Sequence, residues 1–333
     1  MRGKSYRASI SSSNKSTFPP QDVAIMYVPG GRKGTFMDPT QSYLRFTVQN
    51  NDTAANFTVD NLASSFINRI DIYHGSNLIE TVQGYNVLMS FIKDYQLNVS
   101  ESYSLSNIYG TSNSGTVNLL RQCIYVGHGQ RLTFCIPLLG SLGIGADKMI
   151  PIGQLYDDIR IEISWEANSQ AAVWSAVLTG TYLVLDCQLE LQIVELSDEG
   201  LRMVEDVTPF DRPDYLHANS WRHYSFTLPS KTTGIFSTLV PARFASLKGL
   251  VCCPRRGVEI NDAQSFSISS RVNPCTQNYY WRIGSAIVLQ RAIQLWNASN
   301  TGGAGEGFAE IQKFFTDLIA PIWQVAFHLS NIM

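Results

Sequence analysis

The sequence predicts an all-β protein made of two consecutive antiparallel units, and three observations carry that expectation. Apolar residues repeat with a period of two through most of the chain, helical periodicity is confined to short insertions, and turn residues punctuate the alternating runs. Strands that follow one another through tight turns fit β-sandwiches or jelly rolls; a parallel βαβ sheet would need long helices between its strands.

Taken in order, "YLRFTVQN" (Tyr43–Asn50) alternates Leu44, Phe46 and Val48 against Arg45 and Thr47. "RIDIYHGSNLIETV" (Arg69–Val82) reads as two strands around a turn at His74–Asn77, where Gly-Ser-Asn suits a hairpin. "GYNVLMSFIKDYQL" (Gly84–Leu97) spaces Val87, Leu88, Phe91, Ile92 and Tyr95 by threes and fours and predicts an amphipathic helix. A long polar loop, Asn98–Asn118, follows. "QRLTFCIPLL" (Gln130–Leu139) sends Leu132, Phe134 and Ile136 toward a core. "LVLDCQLELQI" (Leu183–Ile193) places Leu183, Leu185, Cys187, Leu189, Leu191 and Ile193 on one face by unbroken alternation. Strands resume at Ser220–Pro229, Ser246–Pro254 and Ser265–Val272, and two further helices are expected at Gly284–Trp296 and Gly307–Ile319.

Between these lies "MIPIGQLYDDIRIEISWEA" (Met149–Ala167), whose Asp157, Asp158, Arg160 and Glu162 invite a catalytic reading. Periodicity argues otherwise. Ile159, Ile161, Ile163 and Trp165 share one side, so the charges lie on the wet face of a strand, where they pair with one another and do not converge in a cleft.

Composition narrows the function classes. The 333 residues hold 44% apolar and 11% aromatic side chains, enough for a large core, and only 16% charged ones, which suits extensive burial against other chains or a large all-β core. A net charge of −2 gives no global field toward nucleic acid or membrane. Six cysteines, Cys123, Cys135, Cys187, Cys252, Cys253 and Cys275, form no C-x-x-C pair and read as reduced core residues. The sequence opens without the apolar segment of a signal peptide and has no apolar run of membrane-spanning length, so secretion is not expected.

No motif predicts an enzyme, and no cofactor or metal is expected. "GIGADK" (Gly143–Lys148) lacks the spacing of a phosphate loop, and Pro151 stands where a helix should begin. The histidines His74, His128, His217, His223 and His328 show no ligand spacing, although His217 and His223 are close enough in sequence to meet. "CCPRRG" (Cys252–Gly257) sets thiols beside Arg255 and Arg256, most simply as a strand ending at a proline turn.

Three stretches in order resemble the double jelly-roll major capsid proteins of tailless icosahedral DNA viruses, the lineage of adenovirus hexon, tectivirus-like phages, the nucleocytoplasmic large DNA viruses and the polinton or adintovirus elements. They are "FMDPTQSYLRFTVQN" (Phe36–Asn50), "SSFINRIDIYHGSNLIETVQGYNVLMSFIKDY" (Ser64–Tyr95) and "RLTFCIPLLGSLGIGADKMIPIGQLYDDIRIEISW" (Arg131–Trp165). The resemblance covers most of residues 20–196 and weakens beyond 210. It implies two jelly-roll barrels with short helical insertions, the second compact or left unclosed within this chain.

The implied organisation is a flexible basic arm over 1–20, a first roll over 21–200, a linker over 201–215, and a second roll with C-terminal helices over 216–333. The implied function is structural: homotrimers form pseudo-hexagonal capsomers that tile a virion shell, meeting penton and minor capsid proteins, with no small-molecule substrate and assembly in host cytoplasm or nucleus. By the same analogy Arg2, Lys4 and Arg7 of the arm would face inward, toward genome or an inner membrane, or bind a neighbour. The alternative is a carbohydrate-binding or hydrolytic β-sandwich, for which Trp165, Trp174, Trp221, Trp281, Trp296 and Trp323 would form sugar platforms beside two carboxylates. A tandem cell-surface module is a further reading; it calls for a signal peptide and disulfides.

Overall fold

The computed structural model describes residues 3–30, 32–96, 124–143, 146, 148–207, 218–228, 234–244, 246–272, 276–294 and 306–307. Its elements run β1 (Gly3–Ser11), β2 (Thr17–Phe18), β3 (Val23–Val28), β4 (Thr35–Asn50), β5 (Phe57–Val59), β6 (Ile67–His74), β7 (Asn77–Gln83) and α1 (Tyr85–Gln96). Then come β8 (Tyr125–Val126), β9 (Arg131–Pro137), β10 (Ile159–Trp165), α2 (Asn168–Ala171), β11 (Ala172–Trp174), β12 (Tyr182–Leu196), α3 (Asp198–Val207), β13 (Asn278–Ile283) and β14 (Ala286–Gln294).

The pairing pattern defines the architecture. One sheet runs β1-β12-β4-β9, with β2 also on β12, and a second runs β3-β10-β6-β7; every ladder is antiparallel. Counting only these eight long strands in chain order, the sheets read 1-8-3-6 and 2-7-4-5. The pairs 1-8, 2-7, 3-6 and 4-5 are nested like one long hairpin that has been rolled up, which is the eight-stranded jelly roll. The first roll is therefore present as expected, and it begins at Gly3, before residue 21. A three-stranded sheet, β11-β5-β8, closes one end.

The core follows the alternation. Leu44, Phe46 and Val48 of β4 face Ile159, Ile161, Ile163 and Trp165 of β10, all of them buried. Phe46 meets Trp165 of the other sheet at 5.3 Å between ring centroids, a tilted aromatic contact that joins the two sheets, and packs beside its cross-strand neighbour Phe134 at 6.0 Å. A second aromatic group, Phe57, Phe66, Trp174 and Tyr182, fills the end under the small sheet. The β6–β7 hairpin turns at Gly75, whose φ of 58° a side chain would strain.

Three local expectations need correction. In β12 the inward residues are Tyr182 and Val184, then Cys187, Leu189, Leu191 and Ile193; Leu183 and Leu185 lie on the other side. Asp186, with φ 51°, is an extra residue between the pairs Leu185–Thr47 and Gln188–Arg45, and this bulge swaps the faces. In α1 the buried residues include Tyr85, Met89, Ile92 and Lys93, with Val87 and Leu88 half-buried, so the packed stripe is rotated from the purely apolar one. Gly284–Trp296 holds the strand β14 where a helix was expected: Gly284 (φ 60°) and Ser285 make a two-residue turn, and Ile287, Val288 and Ile293 are β-branched. The helix expected at Gly307–Ile319 and the loop Asn98–Asn118 lie essentially outside the described residues, as only Glu306 and Gly307 are helical there.

Candidate assembly interface

The charged stretch that opens the functional question is a wet strand face. Arg160 lies 3.0 Å from Glu162 and stacks over Tyr73 at 4.1 Å, and Arg69 lies 2.8 Å from Asp71. Glu162 and Asp71 are directly opposite across the β10–β6 ladder, so the two arginines separate two like charges. Half-exposed pairs of this kind contribute at most about 1 kcal/mol each. Asp158 Oδ1 accepts the Gly30 N–H at 2.9 Å and Asp157 Oδ1 the Asp158 N–H at 2.8 Å, which ties both to loop geometry.

The other groups singled out from sequence are spread through the fold. His74 meets Tyr156 edge-on with ring centroids 4.2 Å apart, His128 lies in a turn, and His223 lies against Gly84; His217 and His328 are outside the described residues. Burial, and secondarily Arg255, pushes the His223 pKa down. Among the described residues no group of three or more His, Cys, Asp or Glu is placed to hold a metal ion. Cys187 fits the core reading, its thiol pushed up to about 12 by burial, whereas Cys252 is exposed at the surface, contrary to expectation. Trp165 and Trp174 are 2% exposed and belong to the core, which removes them as sugar platforms; Trp221 and Trp281 are half-buried. Residues 144, 145 and 147 of the "GIGADK" loop are outside the described residues.

The basic N-terminus is an edge strand, and the expectation of a flexible arm over 1–20 is corrected accordingly. β1 pairs with β12 residue for residue from Gly3–Leu196 to Ser11–Gln188, because Tyr6, Ala8 and Ile10 alternate onto the core. Lys4 lies over Tyr6 at 5.2 Å and Arg7 over Tyr43 at 5.3 Å; Arg2 is outside the described residues. Helix α3 likewise occupies part of the stretch expected as a linker.

The second half of the chain is bolted to the first roll by a polar junction that the sequence did not reveal. Asp60, 1% exposed at the end of β5, accepts the Ile268 N–H at 2.7 Å and the Ser269 hydroxyl at 2.5 Å. Arg271 pairs with Asp94 of α1 and donates to Ser90 Oγ at 3.1 Å. Burial works against the charge of Arg271, but the adjacent Asp94 outweighs it and the pKa rises. Arg255 holds the Ser267 carbonyl through Nε at 3.0 Å and Nη2 at 2.6 Å, so its fork organises residues 254–272 into a strap across the roll. The Trp174 N–H donates to the Ala263 carbonyl at 2.8 Å, and Arg222 donates to the Thr81 carbonyl of edge strand β7 at 3.1 Å. Nothing in the spacing of Asp60, Asp94 and Arg271 could have linked positions so distant.

Beyond the strap, apolar side chains face solvent. Among the described residues after 215, Ile268 and Ile293 are the buried hydrophobics, while Ile235, Leu239 and Val258 are 95%, 84% and 83% exposed. Tyr280, Ile283 and Ile287 of the β13–β14 hairpin are also exposed. Among the described residues after 215 the strands are β13 and β14, and the stretches 220–228, 246–254 and 265–272, expected as strands, hold none.

No protein-family model and no curated protein matches the sequence. Solved structures do. The chain of the PBCV-1 virus capsid is matched with 14% identity over 61% of this chain and 45% of that one, at a TM-score of 0.42. The Faustovirus major capsid protein is matched with 7% identity over 62% of this chain and 56% of that one, also at 0.42. The Sputnik virophage structure is matched with 9% identity over 60% and 49%, at 0.40. The match thus spans about half the length of these chains.

Proposed function

We propose that this chain is a structural building block of an icosahedral virus shell, three copies closing into a pseudo-hexagonal capsomer. The observation that carries the reading is a nested eight-strand roll followed by a half in which, among the described residues, Ile235, Leu239 and Val258 leave their side chains in solvent. A jelly roll alone hosts many functions, so the argument rests on what is left uncovered, not on the fold. A closed symmetric assembly would bury those side chains without demanding a catalytic site. The ordered resemblance of Phe36–Asn50, Ser64–Tyr95 and Arg131–Trp165 to capsid proteins supports the same role.

In this reading capsomers meet one another and the penton and minor capsid proteins along their edges, and the chain resides in the virion after assembly in host cytoplasm or nucleus. It takes no small-molecule substrate and catalyses no turnover. Any weak contact of Lys4 and Arg7 with genome, inner membrane or a neighbour is made from the face of β1. The test is the mass of the purified chain by light scattering behind a sizing column. A stable species near three times 37.1 kDa is expected. A monodisperse monomer across the accessible concentration range would overturn the proposal.

A further inference from the structure

Helix α1 carries a lysine on its buried side. Lys93 is 4% exposed, and its Nζ donates to the side-chain Oδ1 of Asn61 at 2.5 Å and to the Asn61 main-chain carbonyl at 3.4 Å. Asn61 is itself 3% exposed and held at φ 77°, a left-handed conformation that asparagine tolerates better than most residues. The other end of its amide is gripped as firmly. Nδ2 donates to Ser90 Oγ at 2.6 Å, to the Ser90 carbonyl at 3.4 Å and to Asp94 Oδ1 at 3.1 Å.

This arrangement contains what amide exchange requires. An amine is seated against the carbonyl end of a primary amide, both of them buried, and the carboxylate of Asp94, which reaches them from the exposed side, touches the nitrogen that would leave. Proximity and fixed orientation can replace a large part of the barrier of a bimolecular reaction. A desolvated lysine is an established type of nucleophile. A carboxyl group within hydrogen-bond reach can carry protons between attacking and leaving nitrogens. Arg271, paired with the other oxygen of Asp94, orients that carboxylate.

We propose that Lys93 and Asn61 join in an intramolecular isopeptide bond, with Asp94 as the catalytic carboxylate. The bond that forms is Lys93 Nζ to Asn61 Cγ; the bond that breaks is Asn61 Cγ to Nδ2. Lys93 starts as an ammonium, passes one proton to the Asp94 carboxylate so that its lone pair can attack, gives up a second as the amide forms, and keeps the third as the amide N–H. Both released protons end on the departing nitrogen, which restores the Asp94 carboxylate, and ammonium leaves. Charge balances, nothing is oxidised or reduced, and no co-reactant is needed. The product ties the end of β5 to α1, beside the point where the strap docks on Asp60 and Asp94. This inference does not depend on the shell-building role, since the groups lie within the first roll.

The experiment is intact-mass measurement and peptide mapping of the purified full-length chain. The expected mass is lower than that of the sequence by one ammonia, and the digest contains a branched peptide joining the segments that carry Asn61 and Lys93. Asp94→Asn is expected to restore the full mass, while Arg271→Gln, which leaves Asp94 in place, still yields the branched peptide, although more slowly. Two results overturn the proposal. One is the full sequence mass with Asn61 and Lys93 in separate linear peptides. The other is loss of ammonia without a branched peptide, which marks a succinimide at Asn61. Both readings come from the unmodified sequence and survive even if a variant fails to fold.

Discussion

The carboxylate of Asp60 and the hydroxyl of Ser269 meet at 2.5 Å although 209 positions separate them in the chain, and the Ile268 N–H reaches the same carboxylate at 2.7 Å. Asp60 and Ile268 are buried and Ser269 is half-buried. Replacing Asp60 by alanine therefore leaves a buried N–H and a half-buried hydroxyl without their acceptor. The expected cost is about 3 kcal/mol, the range for hydrogen bonds to a buried charged acceptor. Urea unfolding measures it, and limited proteolysis locates it: cleavage within residues 254–272 should accelerate before the roll itself is cut. Unchanged cleavage there would show that the strap is held elsewhere.

Asp52 predicts an acid limb. Its Oδ1 accepts the N–H groups of Ala54 at 2.9 Å and Ala55 at 2.8 Å and the Thr179 hydroxyl at 2.7 Å, and its Oδ2 accepts the Thr179 N–H at 2.9 Å. The Ala54 and Ala55 donors, helped by Thr179 and opposed by burial, hold its pKa well below the usual carboxylate range. A pKa lower in the folded than in the unfolded chain means that folding favours the ionised form. The stabilisation is complete above the unfolded value of about 4 and drains away as pH falls toward the folded one. Comparing melting temperatures of the wild type and Asp52→Asn from pH 7 to pH 2, the gap should be constant at the neutral end and narrow below about pH 4. A gap that widens in acid would reverse the sign and refute the assignment.

Phe46 joins the two sheets through Trp165 at 5.3 Å and packs beside Phe134 of its own sheet at 6.0 Å. Truncating it to alanine opens a cavity between layers that cannot approach one another without breaking both ladders. A loss of about 3–5 kcal/mol is expected, at the upper end for a large-to-small core change. Chemical denaturation of Phe46→Ala against the conservative Phe46→Leu gives the number. A cost under about 1 kcal/mol would mean that the sheets are free to close the gap.

Asp186 marks a place where alternation is silent. The run Leu183–Ile193 alternates without a break, yet the fold inserts one residue, and Tyr182 and Val184 go inside while Leu183 and Leu185 do not. A non-glycine residue at φ 51° carries strain of about 1–2 kcal/mol in this region, somewhat less for aspartate. Asp186→Gly should therefore raise the unfolding free energy by up to about 1 kcal/mol, net of the entropy glycine adds to the unfolded chain. A drop of the same size would mean that the aspartate side chain is needed at the bulge.

The contrast between Ile161 and Asn61 shows what was legible. Ile161 announces its burial through its neighbours at two-residue spacing, and with Ile159, Ile163 and Trp165 it forms one inward row as expected. Patterns of that kind specify faces, and through the faces most of the first roll. Lys93 breaks the stripe that Val87 and Leu88 suggest, because a helix face also buries polar groups whose partners lie on another element. Asn61, Asp60 and Arg271 carry no local signature at all; their meaning is set by contacts made across the fold, which single-chain periodicity does not encode. The hairpin at Gly284 was missed for a smaller reason: its apolar residues suit either period until the turn is recognised.

Ile235 and Leu239 give the assembly proposal its sharpest test, since they are 95% and 84% exposed and touch no core that a substitution would disturb. If they are covered by a neighbouring copy, charged replacements must act on association and not on folding. Ile235→Lys and Leu239→Lys are each expected to leave the melting temperature of the dissociated chain within about 1 °C, as surface substitutions do. Each should weaken association by about 2 kcal/mol, roughly thirty-fold, if the side chain is central to an interface. Light scattering over a dilution series reads this directly as a shift of the midpoint between oligomer and monomer. If both variants dissociate at the wild-type midpoint, these side chains are not in the interface. If instead the melting temperature falls with the midpoint unchanged, the exposed half packs on its own roll, and the cover is intramolecular.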